Sequence, residues 1–337
     1  MSDLILVLDH AGTSLELDGK SLCIKQQGHL RRRVPMALLK QVIVHGNVMA
    51  STAVWRMLCF YQIAVVWLPR RGKGEVVYLS HTLSNSYPTR ASQHTLPKDK
   101  RVEIARQIIS GKLESTLSFW QCVSQRVPLK PSSKMSTDKE ITQCLKAVAS
   151  KRALDQLMGL EGTAARSHFQ GIAQLLNQEW DFNGRNRRPP KDPLNVLLSL
   201  GYSLLLSQAQ QMVGAFGFDP AVGFVHQPYP GRPSLALDVI EPFRAGVDYF
   251  ALSLVFDETL NPGHFTKNRG HCLMKKQGRS IFYRYWYDFR KAWPFYGGQI
   301  FDNEKQLGML MQAHCLQMQQ RLLQFAQSGK KDEHNIV

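Results

Sequence analysis

The sequence predicts an α+β protein: a small β-rich N-terminal domain with one helix, followed by a larger all-α C-terminal domain. Three observations predict it. Short β-prone runs separated by turn signals fill residues 3 to about 80. Residues 81–97 turn to Ser, Thr, Asn, His and two prolines, with little apolar periodicity. Beyond them apolar residues recur at helical spacing almost without exception. A length of 337 residues favours two domains, here 1–80 and 98–330 with a linker at 81–97.

Leu4–Leu8, Ser14–Leu17 and Ser21–Lys25 read as strands, divided by the turn signals Ala11-Gly12 and Asp18-Gly19. Gln41–His45 is another, closed by Gly46-Asn47. Ser51 has the chemistry of an N-cap for a helix over Thr52–Gln62, which leads into the apolar strand Ile63–Leu68. Pro69–Gly72 turns the chain and Glu75–Leu79 gives a last strand. In the second half Val102, Ile104, Ala105, Ile108 and Ile109, then Leu113, Leu117 and Trp120, mark a helical stripe. Lys130–Met135 reads as a polar loop. Ile141–Met158, Thr163–Leu176, Leu194–Phe216, Ser234–Phe256 and Asn303–Ala326 are the remaining helix candidates.

Charge narrows the function classes. Forty-two Lys and Arg against 26 Asp and Glu leave a net charge of +16, and the isoelectric point is near 9.7. A polyanion is the first partner to consider, since neutralised phosphates release counterions and drive association. An anionic membrane comes second, and a merely basic soluble protein remains the plain reading. Six cysteines, at 23, 59, 122, 144, 272 and 315, form no C-x-x-C pair and no zinc-spaced cluster, and read as buried reduced thiols. The opening MSDLILVLDHAG lacks the features of a signal peptide. The most apolar stretch, Leu194–Leu206, is broken by Asn195, Ser199, Gly201 and Ser203, short of a membrane span. A soluble, cytoplasmic protein is the expectation.

Three places in the helical half carry possible chemistry. In Met158-Gly-Leu-Glu-Gly-Thr-Ala-Ala-Arg166, Gly159 suits the end of one helix and Glu161 the start of the next, where a carboxylate favours the dipole; an ordinary first-turn glutamate would look the same. Residues 222–233, VGFVHQPYPGRP, hold His226 in a rigid Pro/Gly loop that fixes an imidazole in direction, as a metal ligand requires, although surface loops also carry such histidines. Immediately after, a helix capped by Ser234 would project Asp238 and Glu241 from one face, with Pro242 bending the axis and stranding the Asp238 carbonyl. Paired acids repel unless water or a cation lies between them. Glu161, His226, Asp238 and Glu241 thus offer one imidazole and three carboxylates. Such a set suits Mg2+ or Mn2+, the histidine favouring manganese.

Basic residues complete the pattern. Arg185, Arg187, Arg188 and Lys191 crowd the loop FNGRNRRPPKDP. Between Gly263 and Trp293, Lys267, Arg269, Lys275, Lys276, Arg279, Arg284, Arg290 and Lys291 alternate with Phe265, Phe282, Tyr283, Tyr285, Trp286, Tyr287 and Phe289. Cations that grip phosphates beside rings that stack on bases fit a nucleic-acid surface. An amphipathic helix with its rings in the core and its cations in water fits the same pattern.

Four ordered segments carry a family resemblance: VHGNVMASTAVWR, GLEGTAAR, FNGRNRRPPKDPLNVLLSLGYSLL, and VGFVHQPYPGRPSLALDVIEPFR with Asp248 following. In these the chain resembles the CRISPR-associated adaptation integrase family, the metal-dependent enzymes of spacer acquisition, from about residue 40 to 250. The resemblance implies a β-rich N-terminal domain that dimerises, a helical catalytic domain, and a Mg2+ or Mn2+ site. Its ligands would be Glu161, His226 and Glu241, with Asp238 as a neighbouring acid. It implies that the 3′-hydroxyl of a short DNA fragment attacks a phosphodiester at the edge of a CRISPR repeat, with no need of ATP. His226 would be a ligand, with a share in proton transfer left open. Arg166, Arg187, Arg188 and Arg244 are candidates for phosphate contact. A homodimer and a small dimeric CRISPR-associated partner protein are implied as well. A structure-specific DNase acting on branched or repair-intermediate DNA is the alternative enzyme, and a non-catalytic DNA-binding scaffold the alternative from another class.

Overall fold

The computed structural model describes residues 4–45, 47–68, 77–79, 87–127, 131–187, 189–268 and 270–334. The N-terminal part begins with β1 (Leu4–Leu8), β2 (Thr13–Asp18), β3 (Ser21–Gln26), β4 (His29–Pro35), β5 (Leu39–His45) and β6 (Val48–Ala50). Helix α1 (Thr52–Phe60), β7 (Ala64–Leu68) and β8 (Val77–Leu79) complete it. Two four-stranded sheets result, ordered β1-β5-β7-β8 and β4-β3-β2-β6. In the first, β5 lies parallel to both β1 and β7, so Val42 sits beside Leu6 on one edge and Val65 on the other.

The period-2 alternation of β5 explains how this part joins the rest. Val42 and Val44 enter an apolar cluster with Leu15, Leu22, Ile24 and Val34 of the second sheet and Val54 and Leu58 of α1. Ile43 points the other way, with Val66 and Leu68 of β7, into the core of the helical part. Polar ties cross the same boundary: Gln41 Nε2 donates to Ser207 Oγ at 3.1 Å, and His45 Nε2 pairs with the Tyr283 hydroxyl.

The second part contains α2 (Tyr87–Thr95), α3 (Lys98–Arg126), α4 (Pro131–Val148), α5 (Leu154–Leu175), α6 (Pro193–Ala215), α7 (Ser234–Ile240) and α8 (Arg244–Phe256). A hairpin of β9 (Phe265–Asn268) and β10 (His271–Met274), α9 (Lys276–Phe289), a hairpin of β11 (Phe295–Tyr296) and β12 (Gln299–Ile300), and α10 (Leu307–His334) follow. It is mostly helical, with the two small hairpins as the departure from an all-α arrangement. Long α3 is the axis of the part. It packs on α4, α5, α8 and the turn after α7. At one crossing a Cβ on Gly201 of α6 would lie 2.5 Å from Val247 Cγ1 of α8, so only glycine permits that approach.

Several expectations are corrected. The break near Gly159 does not exist: α5 runs unbroken from Leu154 to Leu175, and the preceding helix ends at Val148. The break falls at Ser150-Lys151-Arg152, where charge replaces the apolar stripe. The expected loop at Lys130–Met135 is helical from Pro131 onward, as proline is well placed in a first helical turn; Lys130 lies outside the described residues. Within 81–97, α2 occupies Tyr87–Thr95, and 81–86 lie outside the described residues. So do Gly46, the turn Pro69–Gly72 and Glu75. Strands β4 and β6 were not expected from the sequence. Ser51 stands at the N-cap of α1 but its hydroxyl makes no capping hydrogen bond. All six cysteines are unbridged, five of them buried. No helix among the described residues is long and apolar enough to cross a membrane.

Candidate active site

The DVIEPF segment is where local sequence decides the geometry. Ser234–Phe256 is not one bent helix. The α-helix ends at Ile240, a 3-10 turn spans Glu241–Phe243, and α8 resumes at Arg244. Pro242 cannot donate a backbone hydrogen bond, yet the Asp238 carbonyl is not stranded, because the Glu241 amide reaches it. Ser234 is the first residue of α7 rather than its cap, and its hydroxyl donates to the Gln227 carbonyl at 3.1 Å.

That turn sends the two acids to different surroundings. Asp238 is fully buried. Its Oδ2 accepts from the backbone amides of Phe224 and, at 3.0 Å, Val225. Its Oδ1 accepts from the His226 amide at 2.9 Å and from His226 Nδ1 at 2.7 Å. A carboxylate can only accept, so Nδ1 donates to it, and in the neutral ring the lone pair falls on Nε2. Asp238 is absent from the lining of the cleft; it acts through His226. Gly223 makes this clamp possible, since a Cβ there would lie 2.4 Å from the His226 carbonyl oxygen and 2.9 Å from Asp238 Oδ2. Gln93 of α2 fastens the other end of the loop. Its amide nitrogen donates to the carbonyls of Asp219 (3.0 Å) and Val222 (2.6 Å), and its oxygen accepts from the Asp219 amide at 2.8 Å.

Glu241 faces a cleft that Glu161, His226, Arg187, Arg244 and Asp248 also line. Its Oε1 accepts from Arg244 Nε at 2.9 Å and lies 3.8 Å from His226 Nε2. Its Oε2 lies 2.6 Å from Lys112 Nζ of α3, and the same ammonium donates to Glu161 Oε1. Burial by itself would raise the Glu241 carboxyl, but Arg244, Lys112 and His226 together pull it down to about 2. Burial likewise opposes the Lys112 charge, and the two glutamates overcome it, holding that pKa above the ordinary lysine value. The structure brings Glu161, His226 and Glu241 to one cleft, with a lysine between the acids that did not stand out in the sequence. Its signal was present: Lys112 interrupts the apolar stripe that Ile108, Ile109 and Leu113 define.

A second polar group forms the wall. Asp248 accepts from Tyr202 and pairs with the buried His168 Nε2 at 3.1 Å. The guanidinium groups of Arg185 and Arg244 lie 5.3 and 5.0 Å from the centroid of the Tyr202 ring. Neither His168 nor Tyr202 stood out in the sequence. Arg185 is structural: it donates to Asn195 Oδ1 at 2.6 Å and to Ser199 Oγ at 3.1 Å. Arg187 is exposed at the cleft, whereas Arg166, also exposed, is not part of its lining. Arg188 lies outside the described residues, as does Arg269. In α9 the rings of Phe282, Tyr283 and Trp286 are buried, which decides for the amphipathic-helix reading of those aromatics.

Among the described residues no three His, Cys, Asp or Glu side chains stand close enough together to hold a metal ion as they are. The donor chemistry nevertheless fits one. Two carboxylates already share a cation, and an imidazole turns its Nε2 toward one of them.

The family model for the CRISPR associated protein Cas1 matches residues 6–288. The chain belongs to the Cas1 family. A CRISPR-associated endonuclease Cas1 of Thermodesulfovibrio yellowstonii is 31% identical over 283 residues, covering 82% of this chain and 88% of the relative. The Cas1 fold is borne out by solved structures. A casposase bound to integration product superposes with a TM-score of 0.82 at 22% identity, over 96% of this chain and 91% of the other. The chain of a Cas6-RT-Cas1–Cas2 complex gives 0.76 at 23% identity, over 95% of this chain and 35% of the other.

Proposed function

We propose that this chain is a divalent-metal-dependent DNA integrase and endonuclease of CRISPR adaptation. In this reading the 3′-hydroxyl of a short DNA fragment attacks a phosphodiester at a repeat boundary, and the target strand's 3′-oxygen leaves. One phosphodiester replaces another, so no nucleotide hydrolysis is required. The observation that carries the reading is the meeting of Glu161, His226 and Glu241 at one cleft in a member of the Cas1 family. Glu161, His226 Nε2 and Glu241 would hold Mg2+ or Mn2+. When bound, such an ion polarises a phosphoryl oxygen and lowers the pKa of a hydroxyl beside it.

The remaining work falls to the chain itself. Asp238 keeps the His226 proton on Nδ1 and the ring fixed in direction. Arg244, aligned by Glu241 and by the Tyr202 ring, offers its guanidinium to a phosphate, with Arg187 at the cleft mouth. Beside Glu161, no atom of another described residue comes within 4 Å of where a Cβ on Gly159 or Gly162 would stand, beyond the helix's own backbone and chain neighbours, and that open space suits the close approach of a DNA backbone. The net charge of +16 supports the same partner.

The assembly belongs to the proposal too. Homodimerisation through the β-rich part is supported by its exposed large apolar side chains, Met49 and Phe60, each 74% exposed, and Leu30. A small dimeric CRISPR-associated protein is the proposed partner; the neighbour described as a Cas1–Cas2 complex supports that choice.

The test supplies short duplexes with free or blocked 3′-ends, a plasmid carrying a repeat array, the partner protein and Mn2+. Joined product from free ends alone is expected. Equal cutting with both kinds of end would overturn strand transfer in favour of a structure-specific DNase.

A further inference from the structure

Three further features carry charge or polarity: a polar groove between α3 and α10, the exposed arginines of β4, and the ammonium at the centre of the cleft. Only the last is tied by geometry to a defined chemistry. Lys112 leaves α3 on the same face as Ile108 and Ile109, and its side chain is 17% exposed. Among the described residues it is the one cation in contact with both Glu161 and Glu241. Arg244 reaches only the second of these, through the other carboxylate oxygen.

We infer that Lys112 is a built-in competitor of the divalent ion: it holds the Glu161–Glu241 pair in the metal-free protein and must leave when the ion enters. The inference rests on the metal-binding reading above and deepens it. Two carboxylates facing one cleft repel, and an ammonium between them removes that repulsion without any ion. A divalent cation would be held by the same two carboxylates. It cannot bind them while a positive charge remains within hydrogen-bond distance of both. Occupancy by one therefore excludes the other, and the measured affinity for the ion is its intrinsic affinity less the work of breaking two ion pairs. The displaced side chain, still anchored on α3 at the cleft, is then available to a phosphate that arrives with the ion.

This makes binding of the ion and binding of DNA mutually supporting. The ion frees Lys112 for a phosphate, and a phosphate that draws Lys112 away opens the carboxylates to the ion. Without DNA the site keeps its own cation, which guards against idle cleavage.

The experiment compares the full-length protein with Lys112→Met and Lys112→Arg, titrating Mn2+ by calorimetry and following thermal unfolding with and without the ion. Lys112→Met should bind Mn2+ tighter by about ten-fold or more. It should unfold several degrees lower in chelator, as is usual when one partner of a buried ion pair is lost, and gain more from Mn2+ than the wild type does. Lys112→Arg keeps the charge and should restore wild-type stability in chelator and wild-type Mn2+ affinity. Should Lys112→Met be too unstable without metal for calorimetry, the Mn2+-dependent rise in Tm is read in its place. Equal or weaker Mn2+ binding by Lys112→Met, with the wild type binding normally, overturns the competitor role. Absence of Mn2+ binding in both the wild type and Lys112→Met overturns the metal reading itself.

Discussion

Asp238 and Glu241 stand three residues apart and are held in opposite ways. The first is gripped by the amides of Phe224, Val225 and His226. Those donors belong to the backbone and cannot be exchanged. The second is held by the side chains of Lys112 and Arg244, which can swing away. One end of the cleft is thus a permanent frame that aims an imidazole, and the other is a replaceable arrangement of charges. The difference teaches that adjacent acids in a motif need not share a role: the partners decide, and the 3-10 turn at Pro242 assigns the partners.

The comparison breaks most visibly at the replaceable end. Glu241→Ala should lower strand joining by about a thousand-fold, roughly 4 kcal/mol of lost transition-state stabilisation. DNA binding in a gel-shift assay should stay near wild type. Glu161→Ala should do the same, and a DNA-binding scaffold would show neither loss.

At the fixed end the larger effect is on folding. Asp238→Ala leaves three backbone amides and the His226 ring without their acceptor, so it should cost about 3–5 kcal/mol in urea unfolding.

Two histidines that do not line the cleft give a separate measurement. Burial, with Arg279 adding to it and Asp9 opposing, lowers His45 to about 4, and burial lowers His314 to about 4. Each folded-state value lies below the unfolded value near 6.5, so the folded protein resists protonation. Stability present above that value is therefore lost as pH falls toward 4, on the order of 2–3 kcal/mol per histidine. Unfolding free energies at pH 7 and pH 4 should show this, and His45→Gln should remove part of the slope.

Smaller effects sharpen the picture. Gly223→Ala forces a methyl group against the His226 carbonyl and Asp238. It should cost about 1–3 kcal/mol and reduce joining, because the imidazole loses its direction. Tyr202→Phe deletes the hydroxyl that meets Asp248 and should cost about 1 kcal/mol, while the ring still supports Arg244.

Much of this was legible in the chain. Strand β1 and the cores of β2, β3, β5 and β7 follow from alternation and turn residues, and α6 follows from its long apolar run, to which the structure adds Asp192 as a cap through the Asn195 amide. Glu161, His226 and Glu241 emerged because small motifs and a proline set them apart. Strand β4 was hidden because HLRRRVP is exposed along nearly its whole length and shows no apolar alternation. The glycines of GLEG imitated a helix end, yet both lie inside α5, where tertiary packing outweighs their poor propensity. Lys112, His168 and Tyr202 belong to three different helices, and no local pattern brings them to one cleft.

The shared face of the first sheet has a consequence for dissecting the molecule. Ile43, Val66 and Leu68 are as much a part of the helical core as of the strands that carry them. A fragment beginning at α2 would present the sites of these three side chains to water, and the excised strands would carry a sticky apolar stripe. Chimaeras that graft this β module onto a relative's helices should fold only when the recipient offers matching counterparts to those side chains and to Gln41 and His45. A change of side-chain volume on one side of that seam therefore calls for a matching change on the other.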